Sequence, residues 1–401
     1  MRVVVIGGGA AGFFAALSAK EHHPGSEVVL LEKSSKLLSK VRVSGGGRCN
    51  VTHDMREPRR LARNYPRGER FLRKAFSQWC VNETISWFSD RSVRLKAEQD
   101  GRMFPITDSS QTIIDTLVGE AQRSEVRIIM NAAVVKLERE GHGFKIFMNG
   151  SESMHVDRVI VACGGNPKAV GYHWLERLGH SIVQPVPSLF TFNLNEPLKD
   201  LMGVVADGVR VGISGIGLEA EGPLLITHWG FSGPAVLRLS ALTARELNAL
   251  DYRYTIRVNW LAQNEDDARS LLVQLWAAHP RKRVENNCPF ALPQRLWEHL
   301  LYKAGVPSGA ISGDVGKRDR NRVIDLLVND RYEASGKTTF KEEFVTAGGV
   351  DLGQVDPDTM RSKVVPGLYF AGEVLDIDGI TGGFNFQAAW TTGWIAGRLA
   401  D

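Results

Sequence analysis

The 401-residue sequence has no apolar run approaching the roughly 18–20 residues needed to cross a bilayer. It enters an apolar strand pattern at once, without a basic leader, a long hydrophobic core or a cleavage site, so no signal peptide is read. Cysteine is scarce. Cys49, Cys80, Cys163 and Cys288 lie far apart, with no CxxC pair and no Cys/His cluster. This spacing argues against a structural zinc, a disulfide framework and a redox disulfide, so no metal site is expected and a cytoplasmic setting fits. An excess of one charge is nearly absent too, since 49 Lys and Arg against 45 Asp and Glu leave a net +4. Two stretches depart from that balance. One is Arg56–Lys74, with Arg59, Arg60, Arg63, Arg67, Arg70 and Arg73 between its ends, and the other is KRDRNR at Lys317–Arg322. Neither interleaves aromatic residues with its cations as a nucleic-acid stacking surface does, so nucleic acid is not expected as a partner. A solvated helix face is the plain expectation, and steering of a small anion such as a nicotinamide phosphate is the functional one.

What is present is concentrated at the start. Val3–Ile6 is a β-branched run of the kind buried on both faces of a parallel sheet. Gly7, Gly9 and Gly12 then form GxGxxG, with Ala10 and Ala11 between the last two, and a helix-forming stretch runs to Lys20. Val28–Leu31 is a second apolar run, and it ends at Glu32, twenty residues after Gly12. Strand, glycines, helix, strand and acid in that order are the full dinucleotide fingerprint. Gly7 permits the turn, Gly9 admits a pyrophosphate, Gly12 allows close packing, and Glu32 can accept from ribose hydroxyls. The helix N-terminus adds free N–H groups and a positive dipole end. No second complete GxGxxG occurs, which excludes a second nucleotide domain of the disulfide-reductase kind.

Further along, Ser44 and the run Gly45–Gly47, followed by Arg48, Cys49 and Asn50, predict an irregular loop able to present several N–H groups at once. Residues 69–92 read as one amphipathic helix, Gly101–Pro105 as a turn, and Ser110–Arg123 as a second helix. Strands near Val126–Ile129, Val134–Leu137 and Phe144–Met148 suggest a small antiparallel layer. Asp157–Ala162 reads as a buried strand running into Cys163, Gly164 and Gly165. After Pro185 the pattern becomes short β segments as far as Trp260. Charged helical stretches follow to about residue 331, near Asp266–His279, Pro293–Lys303 and Val315–Val328. The chain then returns through GLYFAGEVLDIDGITGGFNF to a small-residue helix, Gln387–Gly397. There the first helical turn can aim N–H groups at an electron-rich ring oxygen.

GGGAAG with Glu32, SGGGRCNVT, the strand into Gly164–Gly165, THWGFSGPA, VTAGGV and GLYFAGEVLDIDGITGGFNFQAA together resemble the BaiN/YhiN-like flavoproteins, which are distantly similar to fumarate-reductase-type flavoproteins. The resemblance covers essentially the whole chain. It implies an α/β fold in which a Rossmann-like FAD-binding domain is interrupted by a β-barrel plus α-helical insertion. The expected divisions are 1–187 and 336–401 for the FAD domain, 188–262 for the barrel and 263–335 for the helices. It also implies bound FAD, with Gly7, Gly9, Ala10, Ala11 and Gly12 at the pyrophosphate and Glu32 and Lys33 toward the adenosine. Lys40, Ser44, Gly45, Gly46 and Asn50 would line the pyrophosphate and flavin, and Val134 would clamp the adenine. Cys163, Gly164 and Gly165 would lie near the pyrophosphate. Gly372 and Glu373 would reach the ribityl chain, and Gly382, Gly383, Phe384 and Asn385 the isoalloxazine.

The expected activity is hydride transfer between flavin N5 and a small organic substrate, as a reductase of an activated C=C or carbonyl recharged by NAD(P)H. A flavin oxidase using O2 on a small amine or aminoketone is the alternative, and a flavin-dependent RNA-modifying or RNA-binding protein the weaker one. His228, Ser232, Arg102, Asp376 and Asp378 are the candidates for proton donor or substrate clamp. Arg59, Arg60 and Arg63 are placed to attract nicotinamide phosphates. Cys49, without a partner thiol, reads as a packed spectator.

Overall fold

In a computed structural model the chain is described over residues 1–150, 152–338 and 345–400. It divides into two compact units, Met1–Ser188 with Phe340–Asp401, and Leu189–Thr339.

The first unit is built on five strands: β1 (Arg2–Ile6), β2 (Glu27–Leu31), β3 (Arg127–Ile129), β4 (Arg158–Val161) and β5 (Leu368–Phe370). All neighbours are parallel, in the order β5-β4-β1-β2-β3. Val3, Val4 and Val5 at the sheet's centre are fully buried, as an unbroken apolar run requires. Helix α1 (Ala10–His22) links β1 to β2, and helix α2 (Phe384–Gly397) closes the unit. The two helices approach backbone to backbone. A Cβ on Gly393 would lie 2.5 Å from the Ala11 carbonyl oxygen, and one on Gly397 would lie 2.4 Å from that of Ala15. Small residues on both surfaces make this contact possible, and around it Phe13, Phe14, Trp390 and Ile395 are buried. Among the described residues no helix is long and apolar enough to cross a membrane.

Three local expectations are corrected. Residues 69–92 form two helices, Glu69–Ala75 and Val81–Ser89, because the second starts afresh with Glu83 capping the Cys80 N–H at 2.7 Å. Gly101–Pro105 is mostly strand. Arg102–Pro105 pairs with Leu95–Ala97 and with Thr52–His53, and Met103 and Phe104 are buried by that pairing. Arg127–Ile129 is the parallel edge strand β3 beside β2, and the small antiparallel layer consists instead of Val134–Glu140, Gly143–Met148 and Ser153–Val156.

The second unit is a closed six-stranded barrel carrying helices Glu265–Ala278, Gln294–Lys303 and Lys317–Asn329. Its strands run in the order 191–194, 230–232, 216–226, 205–213, 253–259 and 330–338. The last strand follows the helices, so barrel residues are not confined to 188–262. Asp330–Thr338 alternates buried and exposed positions as a barrel strand does, although its composition is polar. It belongs in the core because Asp330, fully buried, accepts hydrogen bonds from Tyr332 Oη at 2.5 Å, Lys303 Nζ at 2.6 Å and Trp260 Nε1 at 3.1 Å. That polar network joins barrel to helices.

Candidate functional site: a dinucleotide cradle

The first βα turn has one crowded side and one open side. Gly7 has φ +117°, and a Cβ there would lie 2.3 Å from the Ala162 carbonyl oxygen at the end of β4. A Cβ on Gly12 would lie 1.8 Å from the Gly7 carbonyl oxygen. Around Gly9, by contrast, an added Cβ meets nothing within 4 Å. Gly9 caps α1 without a side-chain acceptor, and no acidic residue occupies the first turn. The helix therefore presents unopposed N–H groups and the positive end of its dipole to open space, which is the requirement for holding a pyrophosphate.

Glu32 is oriented for the next contact. Its Oε2 accepts from the Gly8 N–H at 2.9 Å, and its Oε1 accepts from both N–H and Oγ of Ser34 at 2.8 Å. Each carboxylate oxygen has two acceptor positions, so Oε1 is filled and one position on Oε2 remains for a ribose hydroxyl. Lys33 beside it is exposed. The chain entering Val134 is tied to this corner, because Ala132 N–H donates to the Glu32 carbonyl at 2.9 Å and Asn131 N–H to that of Ser34 at 3.1 Å.

Ser39–Val43 is helical, after which Ser44 is extended and Gly45 and Gly46 are left-handed, at φ +59° and +70°. Gly46 and Gly47 face open space, whereas a Cβ on Gly45 would press on Phe104 at 2.8 Å. Arg48 anchors the loop from outside, stacked 4.0 Å over Phe104 and paired with Glu98 at 2.7 Å. Arg42 is exposed and hydrogen-bonded to Gln111 at 2.8 Å, so it belongs to the surface. Cys49 is fully buried and burial pushes its thiol up to about 12, which leaves a packed, unreactive sulfur.

Asn50 then connects the two glycine loops. With its amide oriented to suit both neighbours, it donates to the Thr52 carbonyl and accepts from the Gly383 N–H, each at 3.0 Å. A Cβ on Gly383 would lie 2.5 Å from the Thr52 carbonyl oxygen, so the two segments touch. Asn385 is spent inside its own loop, bonding both Gly379 N–H at 2.8 Å and the Gly379 carbonyl at 3.0 Å. Phe384 is 2% exposed, stacked on His53 at 4.6 Å, with Tyr65 Oη donating to its carbonyl at 2.6 Å. Its ring is a support, and only its backbone can face a ligand.

On the remaining side, Lys40 Nζ pairs with Glu373 Oε2 at 2.5 Å, and Glu373 Oε1 accepts from the Thr346 N–H at 2.8 Å. The Thr346 hydroxyl is buried without a partner, 2.5 Å from where a Gly165 Cβ would sit. Gly372 has φ +74°, and its Cβ would meet Ala11 at 2.7 Å, which brings the Glu373 turn onto the start of α1. Gly164 is left-handed with open space beside it, and Cys163 before it is exposed.

The candidate catalytic residues are scattered. Arg102 is engaged by Asp100 at 2.7 Å and Glu98 at 2.9 Å on the outer face of its strand. Asp376 is half-buried. Asp378 is fully enclosed, with Arg67 forking onto both its oxygens, one contact at 2.5 Å, and Ser188 Oγ donating at 2.7 Å. Burial raises its pKa while Arg67 opposes the rise. His228 and Ser232 lie in the second unit, His228 exposed in the hairpin turn and Ser232 hydrogen-bonded to Thr191 at 3.2 Å. Two residues at the loop escaped sequence reasoning. His53 Nδ1 lies 3.0 Å from the Gly382 carbonyl oxygen, and Arg67 braces the Asp376–Asp378 turn. His53 follows SGGGRCNVT directly, the one signal that marks it.

The open glycines, the uncapped helix, the oriented Glu32 and the orphan Thr346 hydroxyl all fit FAD. The class so defined is that of the FAD-dependent oxidoreductases. Within it, the chain belongs to the family of the HI0933-like protein Rossmann domain, which matches residues 1–399, in agreement with the BaiN/YhiN resemblance. It is 30% identical over 380 residues to the ribosomal RNA dihydrouridine synthase of Escherichia coli, covering 92% of this chain and 91% of that one. It is 29% identical over 396 residues to the 3-dehydro-bile acid delta(4,6)-reductase of Clostridium scindens, covering 94% and 93%. Its fold is like that of the 3-ketosteroid delta1-dehydrogenase of Sterolibacterium denitrificans, at TM-score 0.53 and 12% identity over 98% of both chains. The 3-ketosteroid-delta4-(5alpha)-dehydrogenase of Rhodococcus jostii gives 0.51 and 14%, over 99% of this chain and 95% of that one.

Proposed function

We propose that the protein is a reductase of a C=C bond conjugated to a carbonyl, using tightly held FAD and recharged by NAD(P)H in a reducing cytoplasm. The observation that carries this reading is the cradle itself, an uncapped α1 N-terminus facing open space beside Gly9 with Glu32 held ready at one end. The names of the two curated relatives support the direction, since a steroid Δ4,6 bond and a uridine ring each present an alkene conjugated to a carbonyl. FAD, when bound, supplies the two-electron hydride chemistry that amino-acid side chains lack.

The chain's own residues bind and orient. Gly7–Gly12 with Gly164 and Gly165 hold the pyrophosphate, and Glu32 with Val134 holds the adenosine. Lys40, Glu373 and the Thr346 hydroxyl serve the ribityl chain. Ser44–Gly46, Asn50 and the Gly382–Asn385 backbone frame the ring. Asp378 holds shape, because a carboxylate enclosed by Arg67 and Ser188 reaches no substrate. The proton that completes saturation comes from another group, and His53, braced beside Gly382, joins Asp376, His228, Ser232 and Arg102 as a candidate.

The test is the visible spectrum of the purified protein before and after anaerobic NADH or NADPH. Flavin bands that bleach, then recover on adding a cyclic enone, are the expected result. Bands that ignore nicotinamide but bleach with an aminoketone and recover in air with peroxide would replace this reading with the oxidase one. Absence of flavin after reconstitution would end both.

A further inference from the structure

Where the Gly382–Asn385 turn runs into α2, four polar side chains are buried together. Thr52, Thr84, Gln387 and Thr391 have no exposed surface, and they meet around the Gln387 amide in the first turn of the helix. Thr52 Oγ1 donates to Gln387 Oε1 at 2.6 Å. Gln387 Nε2 donates to Thr84 Oγ1 at 3.0 Å and to Thr391 Oγ1 at 3.1 Å. The direction of these bonds is fixed from the far side. The Thr84 hydroxyl gives its proton to the Cys80 carbonyl at 3.1 Å, and the Thr391 hydroxyl gives its own to the Trp79 carbonyl at 3.0 Å. A hydroxyl has one proton, so both oxygens can only accept from Gln387 and its NH2 group must face them. The amide oxygen is thereby turned to Thr52.

What this amide holds is the short segment 50–53, which links the cradle's two glycine loops. Asn50 accepts from the Gly383 N–H at 3.0 Å, and His53 Nδ1 lies 3.0 Å from the Gly382 carbonyl oxygen. Those two contacts join loop to loop. Two others anchor the segment to α2, Trp390 Nε1 donating to the Val51 carbonyl at 2.9 Å and the Thr52 hydroxyl donating to Gln387. The Thr52 bond is the one whose partner is itself locked in orientation. A buried network with its demands met fixes one geometry, whereas an apolar core of the same volume tolerates several packings.

We propose that Gln387 is a positioning residue for the flavin. Through the Thr52 hydroxyl it sets the spacing between the Ser44–Asn50 loop and the Gly382–Asn385 backbone, and with it the affinity and the absorption of the bound ring; this rests on the FAD site proposed above. The amide touches no ligand, because it is fully enclosed. Its influence passes by way of Thr52 to the Thr52 carbonyl, 2.5 Å from where a Gly383 Cβ would lie, and to Asn50, which donates to that carbonyl at 3.0 Å. Contact this close transmits a shift of the segment to the turn without slack.

The experiment titrates FAD into the full-length apoprotein and records the visible spectrum of the complex. Thr52→Val keeps the shape and removes the donor. It should weaken FAD about tenfold, the upper range of one net hydrogen bond, and shift the visible bands of the bound flavin. Thr52→Ser keeps the hydroxyl and should restore both. Gln387→Met should weaken FAD to the same degree, and adding Thr52→Val to it should weaken FAD no further, because each removes the same link. Thr84→Val also removes a buried hydroxyl of the network but leaves Gln387 its Thr391 acceptor. It should lower the melting temperature as Thr52→Val does, yet keep the parent's FAD affinity and spectrum. Should Thr52→Val not fold, Gln387→Met against Thr84→Val makes the same comparison. Equal weakening by Thr52→Val and Thr84→Val would make the effect one of general stability and overturn the proposal. So would unchanged affinity in Thr52→Val, no recovery in Thr52→Ser, or additive losses in the double variant. The expected pattern in a protein whose flavin ignores nicotinamide would count against the reductase reading and leave the role of Gln387 standing. A parent that takes up no FAD would end both.

Discussion

A methyl group placed on Gly12 would lie 1.8 Å from a backbone oxygen, while one placed on Gly9, three residues earlier, would touch nothing. The same contrast recurs across the first unit. Gly7, Gly165, Gly372, Gly383 and Gly393 are glycine because protein crowds them, and Gly9, Gly46, Gly47 and Gly164 because protein is absent there. The crowded set draws β1, β4, α1 and α2 together. The open set outlines the space they surround. A motif such as GxGxxG therefore mixes two kinds of constraint, one felt by the fold and one by the ligand, and substitution separates them.

The largest effect is expected on the crowded side, at the brace beneath the flavin turn. Arg67→Met strands the buried Asp378 carboxylate and should lower unfolding free energy by about 3–5 kcal/mol in chemical denaturation. Replacing both, Arg67→Met with Asp378→Leu, should cost less than the single change. A single variant as stable as the parent would show that the pair is dispensable. Gly12→Ala follows, at about 3 kcal/mol, the upper end of ordinary overpacking, read as a fall in melting temperature of the apoprotein.

His180 comes next. It is 3% exposed, packed on Phe370 at the end of β5 and bonded to Ser362 Oγ at 2.8 Å, and burial pushes its pKa down to about 4. The unfolded chain takes up a proton near pH 6.5 that the folded one refuses. Stability is therefore complete above about 6.5 and falls as pH drops toward 4, by about 2–3 kcal/mol. His180→Gln should flatten that part of a stability-versus-pH curve.

On the open side the effect should be on ligand alone. Gly9→Ala should leave apoprotein melting within about 1 °C while weakening FAD at least tenfold, about 1.4 kcal/mol, in a flavin titration. Reduced stability with normal FAD affinity would erase the distinction drawn here. The smallest change is Arg102→Ala, which removes surface ion pairs and a distant contact over the Phe104 ring and should shift unfolding by less than about 1 kcal/mol. Any fall in turnover for that variant then reports directly on substrate handling.

Much of this was legible in the primary structure. The β1–α1–β2 unit with Glu32 follows from periodicity and glycine spacing, because local backbone geometry and a buried parallel strand leave strong marks. Ala132, two residues before Val134, is tied to the Glu32 carbonyl, and Asn50 bridges the glycine loops. What was obscured had non-local causes. Asp330–Thr338 looks polar because buried Asp330 pairs with Lys303 while Arg331 and Glu333 face outward, so its place in the barrel depends on strands over seventy residues earlier. Arg102–Pro105 becomes a strand only through its partners at 52–53 and 95–97.

The sequence by itself determined that a Rossmann-type unit forms at the N-terminus and that a second segment returns to complete it, since both rest on short-range pattern. Only the tertiary structure decided which glycines are crowded and which are open, that Asp378 is a buried brace held by Arg67, and that His53 stands beside Gly382. Those properties depend on what lies across space from each residue, and steric contact, burial and charge pairing are set by neighbours that chain order does not name.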